Sequence, residues 1–289
     1  MDGKIKMRNR GFHACESPFD VFDYYTMIDS RFCEVEQDGN ISKWDRGTKI
    51  CSSKIKIKAE LKLADMINLG VEWLKEITSP EKIKTSIKDN SSGNYAKIGS
   101  SGDEVQIGSS GYGAKIGSSG HGAQIGSSGN NAQIGSSGYG AKIGSSGYGA
   151  KIGSSGNDAK IGSSGNDAKI GSSGNDAQIG SSGNNAQIGS SGDGAQIGSS
   201  GNGAKIGSSG YGAKIDSTGE DCVIMCAGIN SVAKASKGSW VTLSEWSYSE
   251  EKQRYIPICV KTEFVDGEKI KADTYYSLKG GVFVEWIND

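Results

Sequence analysis

IGSSGYGAKIGSSGYGAK, residues 134–151, is one nonapeptide written twice, and its period runs without a slip through fourteen isoleucines from Ile98 to Ile215. A flexible Gly/Ser tether has no use for a bulky β-branched residue at a fixed interval, so the repeat is an ordered stack. In each unit Ala, then Lys or Gln, then Ile reads as a short strand, and side chains alternate across a strand. Ala and Ile therefore face inward and Lys/Gln outward. The Gly-Ser-Ser-Gly that follows, with two residues drawn mostly from Tyr, Asn, Gly, Asp and His, tolerates positive φ and reads as a tight corner. Nine residues are too few to enclose a core. Two nonapeptides therefore make one flattened coil with a strand on each side, and fourteen units make seven coils. At ~4.8 Å per stacked strand the rod is roughly 34 Å long.

Such a rod folds cooperatively or not at all. Ordering nine residues costs roughly 9–18 kcal/mol of backbone entropy, whereas burying one Ile returns about 1.5–3 kcal/mol. Stacked backbone hydrogen bonds and shared Ile ladders must supply the rest, and the end coils need caps.

The flanks have the composition of caps. Residues 1 to about 90 read as an α+β unit. SPFDVFDYYTMID opens with Ser17 as a helix cap and Pro18 at the first helical position, RFCEVEQDGNISKW and TKICSSKIKIKAELK alternate at period two, and LADMINLGVEWLKEI returns to helical spacing before Pro80. Residues 91–221 are the solenoid. Residues 222–289 read as a β-rich C-terminal domain whose first part, where Ile224 keeps the nine-residue phase, continues the solenoid irregularly and whose second part is antiparallel strands with turns at VDGEK and LKGGV. The expected fold is mainly β, a flattened, β-roll-like solenoid with two nonapeptides per coil between an α+β N-terminal cap and a β-rich C-terminal cap.

Composition narrows the function. Thirty-two basic residues balance 33 acidic ones, so no global field draws the chain to nucleic acid or an anionic membrane. MDGKIKMRNR lacks the apolar core of a signal peptide, and no run reaches the ~18 apolar residues of a membrane span. A cytoplasmic protein is expected, with Cys15, Cys33, Cys51, Cys222, Cys226 and Cys259 as reduced thiols.

The nonapeptide aligns with that of calcium-binding β-rolls in period and in its Ile. The calcium-ligand position is Ala here, as at Ala114, Ala123 and Ala132, and methyl groups cannot bind a cation that wants oxygen ligands. Asp158, Asp167 and Asp176 fall at corners on alternating edges. No metal and no cofactor is expected. One outward column carries Lys97, Lys115, Gln133, Lys151, Lys169, Gln187 and Lys205, and the opposite one Gln106, Gln124, Lys142, Lys160, Gln178, Gln196 and Lys214. Stacked lysines ~4.8 Å apart repel, and interleaved glutamines relieve that strain. The column is read foremost as a solvated structural face; as a binding surface it suits a protein first and nucleic acid second. The corner tyrosines Tyr112, Tyr139, Tyr148 and Tyr211 add rigid contact area. His13 beside Cys15, with Glu34 and Glu36 in the next apolar strand, reads as a nucleophile site or a metal corner only weakly, because a bare His-x-Cys has no second ligand pair at recognised spacing; a small buried core with one polar histidine is the preferred reading.

GFHACESPFDVFDYY with SRFCEVEQDGNISK, and AGINSVAKASKGSWVTLSEW with VDGEKIKADTYYSLKGGVFVEW, resemble the ends of an uncharacterised family from bacteriophages, prophages and gut bacteria that flanks variable repeats. The resemblance implies a phage or mobile-element origin and no catalytic motif. The expected function is therefore that of a non-enzymatic interaction protein in the bacterial cytoplasm. Its expected partner is a host protein or ribonucleoprotein, and its most concrete role is inhibition of a defence system such as a CRISPR effector. A homodimer is compatible with this. A structural virion or fibre component is the alternative, and an enzyme with its site near His13 and Cys15 comes third.

Overall fold

The structure is a computed structural model that describes residues 11–26, 30–44, 48–77 and 93–287. The expected boundary near residue 90, the stop at Pro80 and the first ten residues lie outside them. The N-terminal unit is α+β. Strands β1 (Phe12–Cys15), β2 (Phe32–Lys43) and β3 (Lys49–Leu61) form an antiparallel sheet in the order β1-β3-β2, followed by helix α1 (Leu63–Ile77). SPFDVFD makes a 3-10 turn over Pro18–Asp23, capped by the Ser17 hydroxyl, which accepts the Asp20 N–H. On α1, Met66, Ile67, Val71 and Leu74 recur at helical spacing and are buried.

The stack then runs as four-residue strands from β4 (Lys97–Ser100) to β17 (Lys214–Ser217), all in parallel register: Lys151, Ile152, Gly153 and Ser154 lie beside Lys169, Ile170, Gly171 and Ser172 one coil on. Successive strands alternate between two sheets. The one that begins with β4 is the front sheet, and the one that begins with Gln106–Ser109 is the back sheet. Ala and Ile face inward as expected, with Ile161, Ile179 and Ile197 fully buried. The strand itself is Lys/Gln-Ile-Gly-Ser, whereas the sequence reading began it at Ala and gave Gly and Ser to the corner. Gly and the first Ser keep the register with the next coil, and a serine is small enough to turn inward beside Ile, as Ser163 and Ser181 do. The corner is thus Ser-Gly plus two residues. The second of these has φ between 54° and 67° in every coil from Tyr95 to Asn230, which explains its heavy use of Gly, Asn and Asp.

β18 (Val223–Cys226) and β19 (Val232–Ala235) add an eighth coil. Two antiparallel hairpins then end the parallel stack. β20 (Trp240–Ser249) and β21 (Arg254–Phe264) extend the front sheet, and β22 (Tyr276–Lys279) and β23 (Val282–Glu285) extend the back sheet. LKGGV is the β22–β23 turn, as expected. VDGEK is not a hairpin turn: Asp266 there accepts the N–H groups of Glu268 and Ile270 and folds the chain back so that Ile270 enters the core. Glu245 ties the two hairpins together by accepting the Gly280 and Gly281 N–H groups at 2.8 and 2.9 Å. Among the described residues, no helix is long and apolar enough to cross a membrane.

The N-terminal unit lies along the side of the rod. Its helix crosses the back-sheet strands Gln124–Ser127, Lys142–Ser145, Lys160–Ser163 and Gln178–Ser181. The back sheet accepts it because the outward residue after each Lys or Gln is Gly, which leaves a flat strip for large side chains. Leu74 and Val71 sit where a Cβ on Gly144 would be, and Phe19 is wedged between two glycines: a Cβ on Gly70 or on Gly162 would lie 2.6 Å from its ring. Phe19→Ala should therefore cost about 3–5 kcal/mol of local stability. Amide hydrogen exchange is expected to show α1 losing protection while the β circular dichroism of the rod survives. Simultaneous loss of both would make the unit part of the rod's own cooperative core.

Candidate docking face

An eighteen-residue coil gives the rod two faces of the same pattern, each with a Lys/Gln row beside a Gly row, the front one carrying five lysines and the back one three. Their fates differ. On the back, Lys142 Nζ reaches Asp20 Oδ1 at 2.5 Å, Lys160 pairs with Asp23, Gln178 Nε2 donates to the Phe22 carbonyl at 3.2 Å and Ser182 Oγ donates to Asn68 at 2.6 Å. Further along, Lys214 lies 4.5 Å from the centre of the Tyr275 ring and 4.3 Å from that of Trp286. Every outward Lys and Gln of the back sheet from Gln106 to Lys214 is buried or partly buried.

Asp20 shows how tight this contact is. Burial alone pushes its carboxyl up, but the Lys142 charge and hydrogen bonds from Lys142, Thr48 and Ser17 outweigh it and hold the group below its ordinary value of 3.8. A depressed carboxyl contributes stability that is fully present above its unfolded value and is lost as pH falls through the folded one. The docked α1 should keep its exchange protection at neutral pH and lose it only in acid below about pH 4. Loss nearer pH 6 would assign the docking to some other group.

The front is open. Lys97, Lys115, Lys151, Lys169 and Lys205 are all on it and all exposed, and none forms an ion pair with a described residue. Beside them the row Gly99, Gly117, Gly135, Gly153, Gly171, Gly189 and Gly207 has nothing within 4 Å of where a Cβ would stand. A shallow, largely open depression lies over Lys151, Lys169, Gln187 and their neighbouring glycines. A second, equally shallow, follows the Gly row and its exposed serines to Met225. There the chemistry changes: the lysine column continues in register into Val223, Trp240 and Phe264, all about half exposed, with the two rings 5.1 Å apart. Sequence reasoning missed both the glycine floor and this apolar end. The signal for the second was present, since Val223 and Met225 fall in the phase of Lys and Gly.

The tyrosines do not join the lysines. Tyr139 and Tyr211 stand on one edge of the rod, Tyr112 and Tyr148 on the other, and each hydroxyl is held by the corner residue of the next coil. Tyr112 and Tyr211 accept from Asn131 and Asn230 at 2.9 Å. Hydrogen bonds to Asp158 and Asp167 raise the phenol pKa of Tyr139 and Tyr148. Asn and Asp at the first corner position do a related job by accepting the backbone N–H eighteen residues on, as Asn157 does for Asn175. These acids are corner fasteners. Among the described residues, no group of three His, Cys, Asp or Glu side chains is arranged to hold a metal ion.

His13 and Cys15 lie on β1, opposite Cys51 and Lys49 of β3. Cys15 lines a cleft of about 1120 Å³ between the N-terminal unit and the back sheet, together with Asp20, Trp73, Tyr139 and Lys142. Burial first, and the Asp20 charge second, push its thiol up to about 11, so a protonated thiol faces the cleft at neutral pH. Burial likewise pushes Cys226 up to about 12 in the rod. All six cysteines are unbridged.

A family model for a domain of unknown function (DUF7666) matches residues 1–69. That span takes in the three-stranded sheet, the Pro18–Asp23 turn and the start of α1, and it ends before Val71 and Leu74. No curated protein and no solved structure matches the chain.

Proposed function

We propose that the protein is a non-enzymatic binding scaffold whose front sheet docks a partner macromolecule. One observation carries this reading: the same repeat builds a Lys/Gln row beside a Gly row on both faces, the back one is covered by the chain's own acidic and aromatic groups, and the front one, richer in lysine, keeps five lysines without an ion pair among the described residues over an open glycine floor. A protein partner suits it better than a nucleic acid. Single-strand binders interleave aromatic side chains with their basic residues so that bases can stack, and here the floor between the lysines is glycine. The resemblance of the flanks to phage and prophage ends makes a bacterial host complex, such as a CRISPR effector, the specific form of the proposal.

The test is affinity capture from a bacterial lysate, comparing the native chain with a Lys151→Ser/Lys169→Ser variant and with Tyr148→Ser. A partner lost with the lysine pair and kept with the edge tyrosine supports the front sheet. A partner indifferent to the lysines moves the interaction elsewhere. Protection of phage plaques from CRISPR interference by the native chain, absent in the lysine variant, tests the specific form. Light scattering tests the fibre alternative: growing assemblies rather than a monomer or dimer favour it.

A further inference from the structure

The back sheet already shows what a Lys-Lys-Gln triplet over glycines binds. On three successive strands Lys142, Lys160 and Gln178 engage Asp20, Asp23 and the Phe22 carbonyl, while the Phe19 ring lies over Gly162. Those ligands come from one short 3-10 turn, Pro18–Asp23, whose two carboxylates are three residues apart. At that spacing they project from the same side of the turn, about 6 Å apart, and meet two lysines one coil apart, because flexible lysine side chains bridge the small difference from the rod's ~4.8 Å spacing.

The front sheet repeats the triplet in the same order and the same strand sense, with Lys151, Lys169 and Gln187 beside Gly153, Gly171 and Gly189. Here a shallow open depression stands where the back sheet holds its turn. We infer that the partner segment recognised by the front face is an acidic–aromatic turn: two carboxylates three residues apart, flanked by an aromatic residue that seats on the glycine floor. Its first carboxylate pairs with Lys151, its second with Lys169, its aromatic ring covers Gly171 and a backbone carbonyl accepts from Gln187. The chain's own turn is not the occupant, because it is spent on the back sheet with both of its aspartates paired. The partner is therefore a foreign protein that carries the same chemistry. Charge complementarity favours it, since the front lysines lack acidic partners among the described residues and the two adjacent pairs, Lys97–Lys115 and Lys151–Lys169, gain most from neutralisation.

This inference rests on the docking-face reading, and a library selection separates the two. A displayed library of disulfide-constrained dodecapeptides is selected on the full chain, and the winners are re-tested on the Lys151→Ser/Lys169→Ser variant. The peptide ESPFDVFDYY, residues 16–25 of the chain, and a single-stranded oligonucleotide serve as direct probes. The expected result is a set of peptides enriched in two Asp or Glu residues three apart with a neighbouring Phe, Tyr or Trp. Their affinity should fall at least tenfold on the lysine variant and on Asp→Asn exchange in the peptide. Selected peptides that need the lysines but lack this pattern, or an oligonucleotide that binds where acidic peptides do not, overturn the inference and leave the docking face standing. Peptides whose binding ignores the lysines overturn both, and so does a selection that yields no binder.

Discussion

Gly183→Ala should cost the rod ~3 kcal/mol or more, whereas Gly171→Ala, a repeat and a half-corner away, should be neutral or stabilising by about 0.5 kcal/mol. Gly183 closes a Gly-Ser-Ser-Gly corner, and a Cβ built there stands 2.1 Å from the carbonyl oxygen of Gly165 in the preceding coil. Both parties are backbone, so neither can rotate away and the coils must separate. The same collision recurs at 1.8 to 2.1 Å from Gly111 to Gly228. Gly183 is not among the positive-φ residues, so close approach and not backbone handedness demands glycine there. Gly171 faces outward on the front strip with nothing within 4 Å. A methyl group at that position meets only solvent and removes some of the chain entropy that folding must overcome. Urea denaturation midpoints of the two variants check the difference. Equal losses would mean that coil-to-coil distance is not set at the corner.

This contrast also bears on what the sequence discloses. The period of nine, the inward Ile and Ala and the two strands per coil follow from alternation and entropy alone, and the folded chain has them, while the stack runs on past the change of composition at residue 221 into an eighth coil. What a single nonapeptide hides is which of its glycines are needed and why. Gly171 and Gly162 occupy the same repeat position, yet one faces open space and the other receives Phe19, and nothing in IGSSG distinguishes them. The side-on seat of the N-terminal unit was hidden for the same reason. It depends on shape matching between Phe19, Val71 and Leu74 and a flat strip whose apolar character is backbone, which hydropathy does not register. The corner ladder was closer to legible: each corner tyrosine is followed nineteen residues later by Asn or Asp, as Tyr112 is by Asn131 and Tyr148 by Asp167. Of the candidate binding residues, the five lysines fall together because they share a parity of the repeat. The four tyrosines separate because they do not.

Ile152→Asp should destabilise the rod by more than ~4 kcal/mol, while Lys151→Gln, its immediate neighbour, should change stability by no more than about 0.5 kcal/mol. Ile152 is 4% exposed and stacks in register between Ile134 and Ile170, so the substitution removes one rung of a continuous apolar ladder. The lost burial is worth about 1.5–3 kcal/mol, and a carboxylate in its place has no described cation within the coil to pair with. It must either stay charged at a cost of several kcal/mol or take up a proton, so the variant should recover part of its stability as pH falls through its raised pKa. Because each coil rests only on its neighbours, the damage reaches beyond one rung and shortens the cooperative unit. Lys151 points the other way, into solvent beside Lys169. Removing its charge relieves a repulsion of roughly 0.8 kcal/mol at ~5 Å in water, which salt screens further, so glutamine is if anything slightly favoured. Equal losses from both variants would mean that the strand phase, and with it the placing of all five front lysines on the surface, is wrong.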